Sequence, residues 1–198
     1  QAFMAQQIAA GEIRPLVHFQ LPYIGAVEQY PLALLMLLFG DSVFTVNLFY
    51  LGVSIFSLGG AYLFYRCIFP IRWAYLALMF FALCPPILLL FSLQGYSFGF
   101  LLVFEVVVLW LLFSFRSKKD YVPYLIILGF CNGVALYNNI LIVGILAFSI
   151  WLIFGLSSRR SSLIFLGALG VGYAPMIYVN LTHQFISYQF LTAKFLGV

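Results

Sequence analysis

Apolar residues in this chain come in long blocks and do not alternate with polar ones. Six blocks stand out, at approximately 43–65, 73–93, 97–115, 121–137, 140–156 and 162–180. Each approaches the ~20 residues that a helix needs to cross a bilayer. Membrane-spanning strands would alternate over ~10 residues, and the stretch from Phe100 to Phe113, with its single charge, does not. The pattern predicts an all-α, polytopic membrane protein of about six spans. Two shorter helices are expected before them. Residues 1–10 put Phe3, Met4 and Ile8 on one side and Gln6 and Gln7 on the other, and Gly11 stops the run. A second helix is expected from Pro31 to Phe39, with Pro31 at its first position and Gly40 at its end. At ~1.5 Å per residue it reaches about half a bilayer, so both are read as interfacial, juxtamembrane helices.

The polar positions between the blocks carry direction. Arg66 and Arg72 flank the first joint, Arg116, Lys118 and Lys119 fill the third, and Arg159 and Arg160 fill the fifth. The second joint, Gln94-Gly95-Tyr96, and the fourth, Asn138-Asn139, have no basic residue. Seven of the nine basic residues therefore lie on alternate joints. The positive-inside rule makes the loops 66–72, 116–120 and 157–162 cytoplasmic. Residues 1–41 and 181–198 then fall outside the cytoplasm, around a bundle at 42–180, the whole forming one transmembrane domain.

Composition agrees with this reading: 65% of the chain is hydrophobic and 7% charged, whereas soluble domains average about 25% charged residues. A soluble domain, a disordered tail and a nucleic-acid-binding module are excluded, and the net charge of +4 reflects the cytoplasmic joints. Pro85-Pro86 is expected to kink the second span. Small residues at Gly59, Gly60, Gly167, Gly170, Gly172 and Ala174 are expected where helices approach closely. Cys67, Cys84 and Cys131 have no metal or disulfide spacing.

Candidate chemistry concentrates in the segment before the first span, where turn formers, aromatic rings and a carboxylate meet. Glu12, His18, Gln20, Tyr23 and Glu28 are its candidates, and Arg14 is suited to a lipid phosphate. His18 titrates near neutral pH, which suits it to position phosphate or to act as an acid. Glu28 is suited either to capping the next helix or to meeting a substrate. Asp41-Ser42 is expected to cap the first span. Glu105 lies in mid-span, where a charge costs about 2.5–3.5 kcal/mol, and Asn132, at similar depth in the next span, is its expected partner. Asn180-Leu181-Thr182 has the form of a glycosylation sequon but abuts the membrane.

Pro22-Tyr23-x-Gly25-x-x-Glu28-x-Tyr30, followed by Leu38-Phe39-Gly40-Asp41-Ser42, resembles the first outer loop of bacterial polyprenyl-phosphate-dependent glycosyltransferases of the GT-C superfamily, related to protein O-mannosyltransferases. Tyr65-Arg66, Gln94-Gly95-Tyr96 and Gly170-x-Gly172-x-x-Pro175-x-x-Tyr178-x-Asn180 agree in order and spacing. The resemblance implies inverting transfer of a sugar from a polyprenyl phosphate to an acceptor on the extracytoplasmic face of a bacterial inner (plasma) membrane. It implies a carboxylate that takes the acceptor's proton and a divalent ion, Mg or Mn, that helps hold the phosphate. The family's acidic pair would fall at or before Gln1, so the chain is expected to be a portion of a longer protein, lacking the first span and that pair. Glu28 is then the candidate catalytic residue, and Arg14, His18, Gln20, Tyr23, Gln94 and Tyr96 are candidate substrate contacts. The expected partners are membrane lipid, the lipid-linked sugar and other integral membrane subunits, and not nucleic acid. Two other readings stand beside this one: a non-catalytic subunit or scaffold of a larger membrane complex, and a transporter that uses Glu105 for proton coupling.

Overall fold

The computed structural model describes residues 2–18, 21–83, 98–115 and 121–196. Helix α1 (Ala2–Ala9) leads into a two-stranded antiparallel hairpin, β1 (Val17–His18) and β2 (Leu21–Gly25). Then follow α2 (Gln29–Phe39), α3 (Val43–Ile68), α4 (Ile71–Ala82), α5 (Phe98–Phe115), α6 (Val122–Asn138), a 3-10 turn at Ile140–Ile142, α7 (Val143–Leu156), α8 (Arg159–Thr182) and α9 (Ile186–Leu196). The all-α expectation holds, with one hairpin added. Helices α3 (26 residues) and α8 (24 residues) are each long and apolar enough to cross a membrane. Helices α6 and α7 are shorter, and α4 ends at Ala82. Pro85-Pro86, Cys84 and the basic joint 116–120 lie outside the described residues.

Local chemistry sets the ends of these helices. The Ser42 hydroxyl accepts the Thr45 N–H at 3.2 Å, which caps α3. Asp41 takes no part in that cap and instead accepts Gln6 Nε2 at 2.7 Å, tying α1 to the start of α3. Ser158 caps α8 in the same way, accepting the Ser161 N–H at 3.2 Å. Asn139 breaks the chain between α6 and α7, its side-chain oxygen accepting the Leu141 N–H at 3.0 Å. Gly40, with φ +82°, ends α2 in a conformation that disfavours any residue with a Cβ. Helix α2 starts two residues earlier than expected, so Pro31 is its third residue, still within the turn whose N–H groups have no helical partner.

Two apolar clusters hold the molecule together. One joins α5, α6, α7 and α8 around Leu112, Leu125, Leu128, Ile142, Ile153 and Phe165. The other joins α1, α2 and α3 around Ala5, Leu32, Met36, Phe49 and Val53. Helices α6 and α8 run parallel and nearly touch: a Cβ built on Gly129, Gly133 or Gly172 would overlap backbone of the opposite helix. Of the small residues in the last span, Gly172 meets α6, whereas Gly167 and Gly170 face open space. The outward surface stays apolar and aromatic, with Phe44, Phe56, Trp73, Phe80, Trp151 and Val171 all exposed.

Candidate functional site

The segment before α3 docks on the ends of α6, α8 and α9, and this junction gathers most of the polar chemistry. Residues 14–16 cannot form helix across Pro15, and three bonds fix them instead. The Tyr30 hydroxyl donates to the Pro15 carbonyl at 2.8 Å, and the Tyr137 hydroxyl and the Ala26 N–H both donate to Leu16 O. Gly25 lets the hairpin sit directly on α6, because a Cβ there would lie 2.8 Å from the Tyr137 carbonyl oxygen. On the other side the Ser187 hydroxyl, at the start of α9, bonds Pro22 O at 2.7 Å.

Between the hairpin and the end of α8 lies a cleft of about 490 Å³. Arg14, His18 and Pro22 line one wall, and Tyr178, His183 and Ile186 line the other. Among the described residues no carboxylate lines it. Burial holds the His18 imidazole below its usual pKa, so it is neutral at pH 7. The wall carrying His183 is tightly built. Gln184 and Phe185 take left-handed backbone angles, φ 52° and 59°, each costing about 1–2 kcal/mol for a residue with a side chain. Asn180 braces this turn: its Nδ2 donates to Met176 O at 3.0 Å and its Oδ1 accepts the Ser187 N–H at 3.1 Å. The Asn180 of the possible sequon is thus engaged within the fold.

Of the expected site residues, the cleft brings Arg14 and His18 together. Glu28 is not in its lining. Neither is it a cap: it sits at the start of α2 with no side-chain capping bond, because its backbone is already helical there. Its carboxyl is 1% exposed, and neither oxygen has a hydrogen bond of ordinary geometry. Burial pushes its pKa up to about 7, and the nearby Tyr50 hydroxyl offsets only part of that. The neighbouring Gln29 amide is also buried and unpaired. Glu12 lies in the exposed turn after α1. Tyr23 lies in β2, and its side chain is outside the described set, as are Gln20, Gln94 and Tyr96.

The expected Glu105–Asn132 pair is corrected. Asn132 Nδ2 donates to Leu128 O of its own helix at 2.9 Å, and its Oδ1 has no partner. Asn132 is a helix-interior residue one position from the glycine contact with α8, and back-bonding to the preceding turn satisfies its donor locally. Among the described residues no group of three or more His, Cys, Asp and Glu side chains that could hold a metal ion is found.

His183 was missed by reading the sequence, and Tyr178 entered it only within the Gly170–Asn180 run, with no site role. One signal existed: the chain has two histidines, and the topology expected from the basic joints has both on one side. Compared with known protein families, curated proteins and solved structures, the chain has no match. What the arrangement can do follows from its parts. It presents a guanidinium and two imidazoles in one cleft by the end of α8, and the chain holds elsewhere a buried carboxyl whose pKa is about 7.

Proposed function

We propose that this chain is an integral membrane glycosyltransferase, or part of one, that moves a sugar from a polyprenyl phosphate to an acceptor on the extracytoplasmic face of a bacterial inner membrane. The carrying observation is the docked hairpin. It bears the Pro22-Tyr23-x-Gly25 part of the motif that runs on to Glu28, and it forms one wall of a cleft lined by Arg14, His18 and His183 by the end of α8. The apolar outer surfaces of α3 and α8 support a bundle that spans the bilayer several times, with shorter α4–α7 completing the six-span plan. Arg14 and His18 then face the lipid phosphate, where a guanidinium can bind two oxygens at once.

In the reaction the acceptor hydroxyl attacks the anomeric carbon, the bond from that carbon to the phosphate oxygen breaks, and the phosphate leaves with its charge against Arg14. The hydroxyl proton passes to Glu28. A carboxyl with a pKa of about 7 is well matched to taking up and releasing a proton at neutral pH. Because the Glu28 side chain is buried, this role requires the start of α2 to open towards the cleft. The chain's own residues supply the phosphate contact and the proton acceptor, and no metal is assigned.

The test is sugar transfer from a polyprenyl-phosphate donor in proteoliposomes. Glu28→Gln should remove turnover by ~10²-fold or more, the usual range for a general base, while lipid binding persists. Transfer at the wild-type rate would refute the role of Glu28. The burial of Glu28 also favours a second reading, a non-catalytic subunit whose aromatic surface packs on other integral proteins. Stoichiometric co-purification with such partners, and no transfer by wild type, would establish it.

A further inference from the structure

We propose that the cleft between the β1–β2 hairpin and the turn after α8 is a proton-gated site for a phosphate-type oxyanion, held by Arg14 and by the imidazoles of His18 and His183. The inference takes from the preceding reading the idea that Arg14 and His18 face a phosphoryl group, and it does not need sugar transfer. Arg14 and both histidines of the chain line this one cleft, although the histidines are 165 residues apart. The other titratable group in the lining is Tyr178, on the His183 wall. Glu12, two residues before Arg14, does not line it. With the Arg14 guanidinium in the lining and no carboxylate there among the described residues, the cleft favours an anion. Protonation of the histidines then adds up to two positive charges and two N–H donors.

Both walls are fixed in place. The Arg14 wall hangs on the bonds from Tyr30, Tyr137 and Ala26. The His183 wall is the braced left-handed turn at Gln184 and Phe185. Strained backbone persists where the surrounding structure holds it, and it concentrates at ligand clamps and functional turns. Burial lowers the pKa of His18, so without an anion its charging is opposed. A bound oxyanion favours the charged imidazole, so proton and anion binding reinforce one another. The cleft opens at the ends of apolar helices, so the oxyanion can come from a lipid headgroup or from solution.

The experiment uses the full chain in phosphatidylcholine nanodiscs. Two probes that do not titrate near neutrality are compared, inorganic sulfate and a short alkyl sulfate below its micellar concentration. Affinity is read by calorimetry at about pH 8 and about pH 5.5, which bracket the ordinary histidine pKa. Wild-type affinity should rise roughly tenfold or more on acidification, the size of one charge-assisted hydrogen bond. His18→Gln and His183→Gln should each shrink that rise, and the double variant should abolish it. Arg14→Gln should weaken binding at both pH values. His183 is exposed, so its variant keeps the fold intact. Histidine NMR titrations should show both imidazole pKa values rising on addition of sulfate.

Tighter binding of the alkyl sulfate would identify a headgroup site, and equal binding a site for a soluble oxyanion. Affinity that does not change with pH, or a His183→Gln profile identical to wild type, would overturn the proposal. Proton-dependent binding without sugar transfer would leave this site and remove the enzyme. Sugar transfer without proton-dependent binding would do the reverse.

Discussion

The seam between α6 and α8 and the junction beneath the hairpin both depend on glycine, and they use it to opposite ends. In the seam, Gly129, Gly133 and Gly172 let two helix backbones meet with nothing between them. Each helix satisfies its own backbone, and the one buried unpaired polar atom next to these glycines among the described residues is Asn132 Oδ1. At the junction, Gly25 brings the hairpin onto Tyr137, but the approach closes over polar groups. The Gln29 and Asn138 amides are buried without partners, and the buried Glu28 carboxyl has only the nearby Tyr50 hydroxyl, with no hydrogen bond of ordinary geometry. Each such group costs about 1–3 kcal/mol when left unpaired, more if charged. The seam spends its close packing on stability. The junction accepts instability to keep ionisable and polar groups in place, the usual signature of a functional region.

The largest expected effect lies in the seam. Gly133→Leu places a side chain where the Leu169 carbonyl and the Gly172 backbone already stand. Neither backbone can yield without separating the helices, so the loss should be about 3 kcal/mol or more. The thermal unfolding midpoint should fall by roughly 6–12 °C for a chain of this size. A fall of less than a degree would show that the helices do not meet as described.

At the junction the comparable effect depends on pH. Glu28 has its pKa raised from 4.5 to about 7 by burial. Between those values the folded chain holds a proton that the unfolded chain has released, so stability must fall as pH rises. It is complete below about pH 4.5, declines up to about pH 7 and then levels off. At ~1.4 kcal/mol per pH unit the decline amounts to about 3 kcal/mol. Glu28→Gln should abolish it and make the chain more stable than wild type at pH 8. Chemical denaturation of both chains at pH 5 and 8 reads this directly, and the same slope in both would place the titration elsewhere.

A smaller effect tests what holds the junction closed. Tyr137→Phe deletes the bond to the Leu16 carbonyl but leaves that oxygen with the Ala26 N–H at 3.0 Å. About 1 kcal/mol should be lost, with faster amide exchange at Ala26 while α8 stays protected. Slower exchange, or a change spread over both regions, would show that the two are not independent.

The sequence was legible where one physical rule dominates. Long apolar blocks announce helices, and α3, α5, α6 and α8 lie within a few residues of the expected blocks. Ser42 as a cap and Gly40 as a stop follow from local geometry, and both hold. The hairpin was harder to see, since β1 has two residues and leaves no alternation to detect. The site was half legible. Arg14 and His18 stand in a segment dense in special residues, whereas His183 lies in a turn whose shape comes from tertiary bonds to Asn180 and Ser187. The Glu105–Asn132 expectation failed because similar depth in two helices does not make two side chains face each other.

Glycine itself supplies the finest test of the comparison. Counting small residues marked Gly167, Gly170 and Gly172 alike as a packing stripe. In the structure, a Cβ on Gly167 or Gly170 meets nothing within 4 Å, while one on Gly172 would strike the Phe130 carbonyl of α6. Alanine is favoured over glycine in a helix by up to about 1 kcal/mol, because it has less backbone freedom to lose on folding. Gly170→Ala should therefore raise the unfolding midpoint by roughly 2–4 °C, and Gly172→Ala, two residues away, should lower it. If both substitutions lowered the midpoint, Gly170 would be touching a neighbour after all, and the seam would be broader than three glycines.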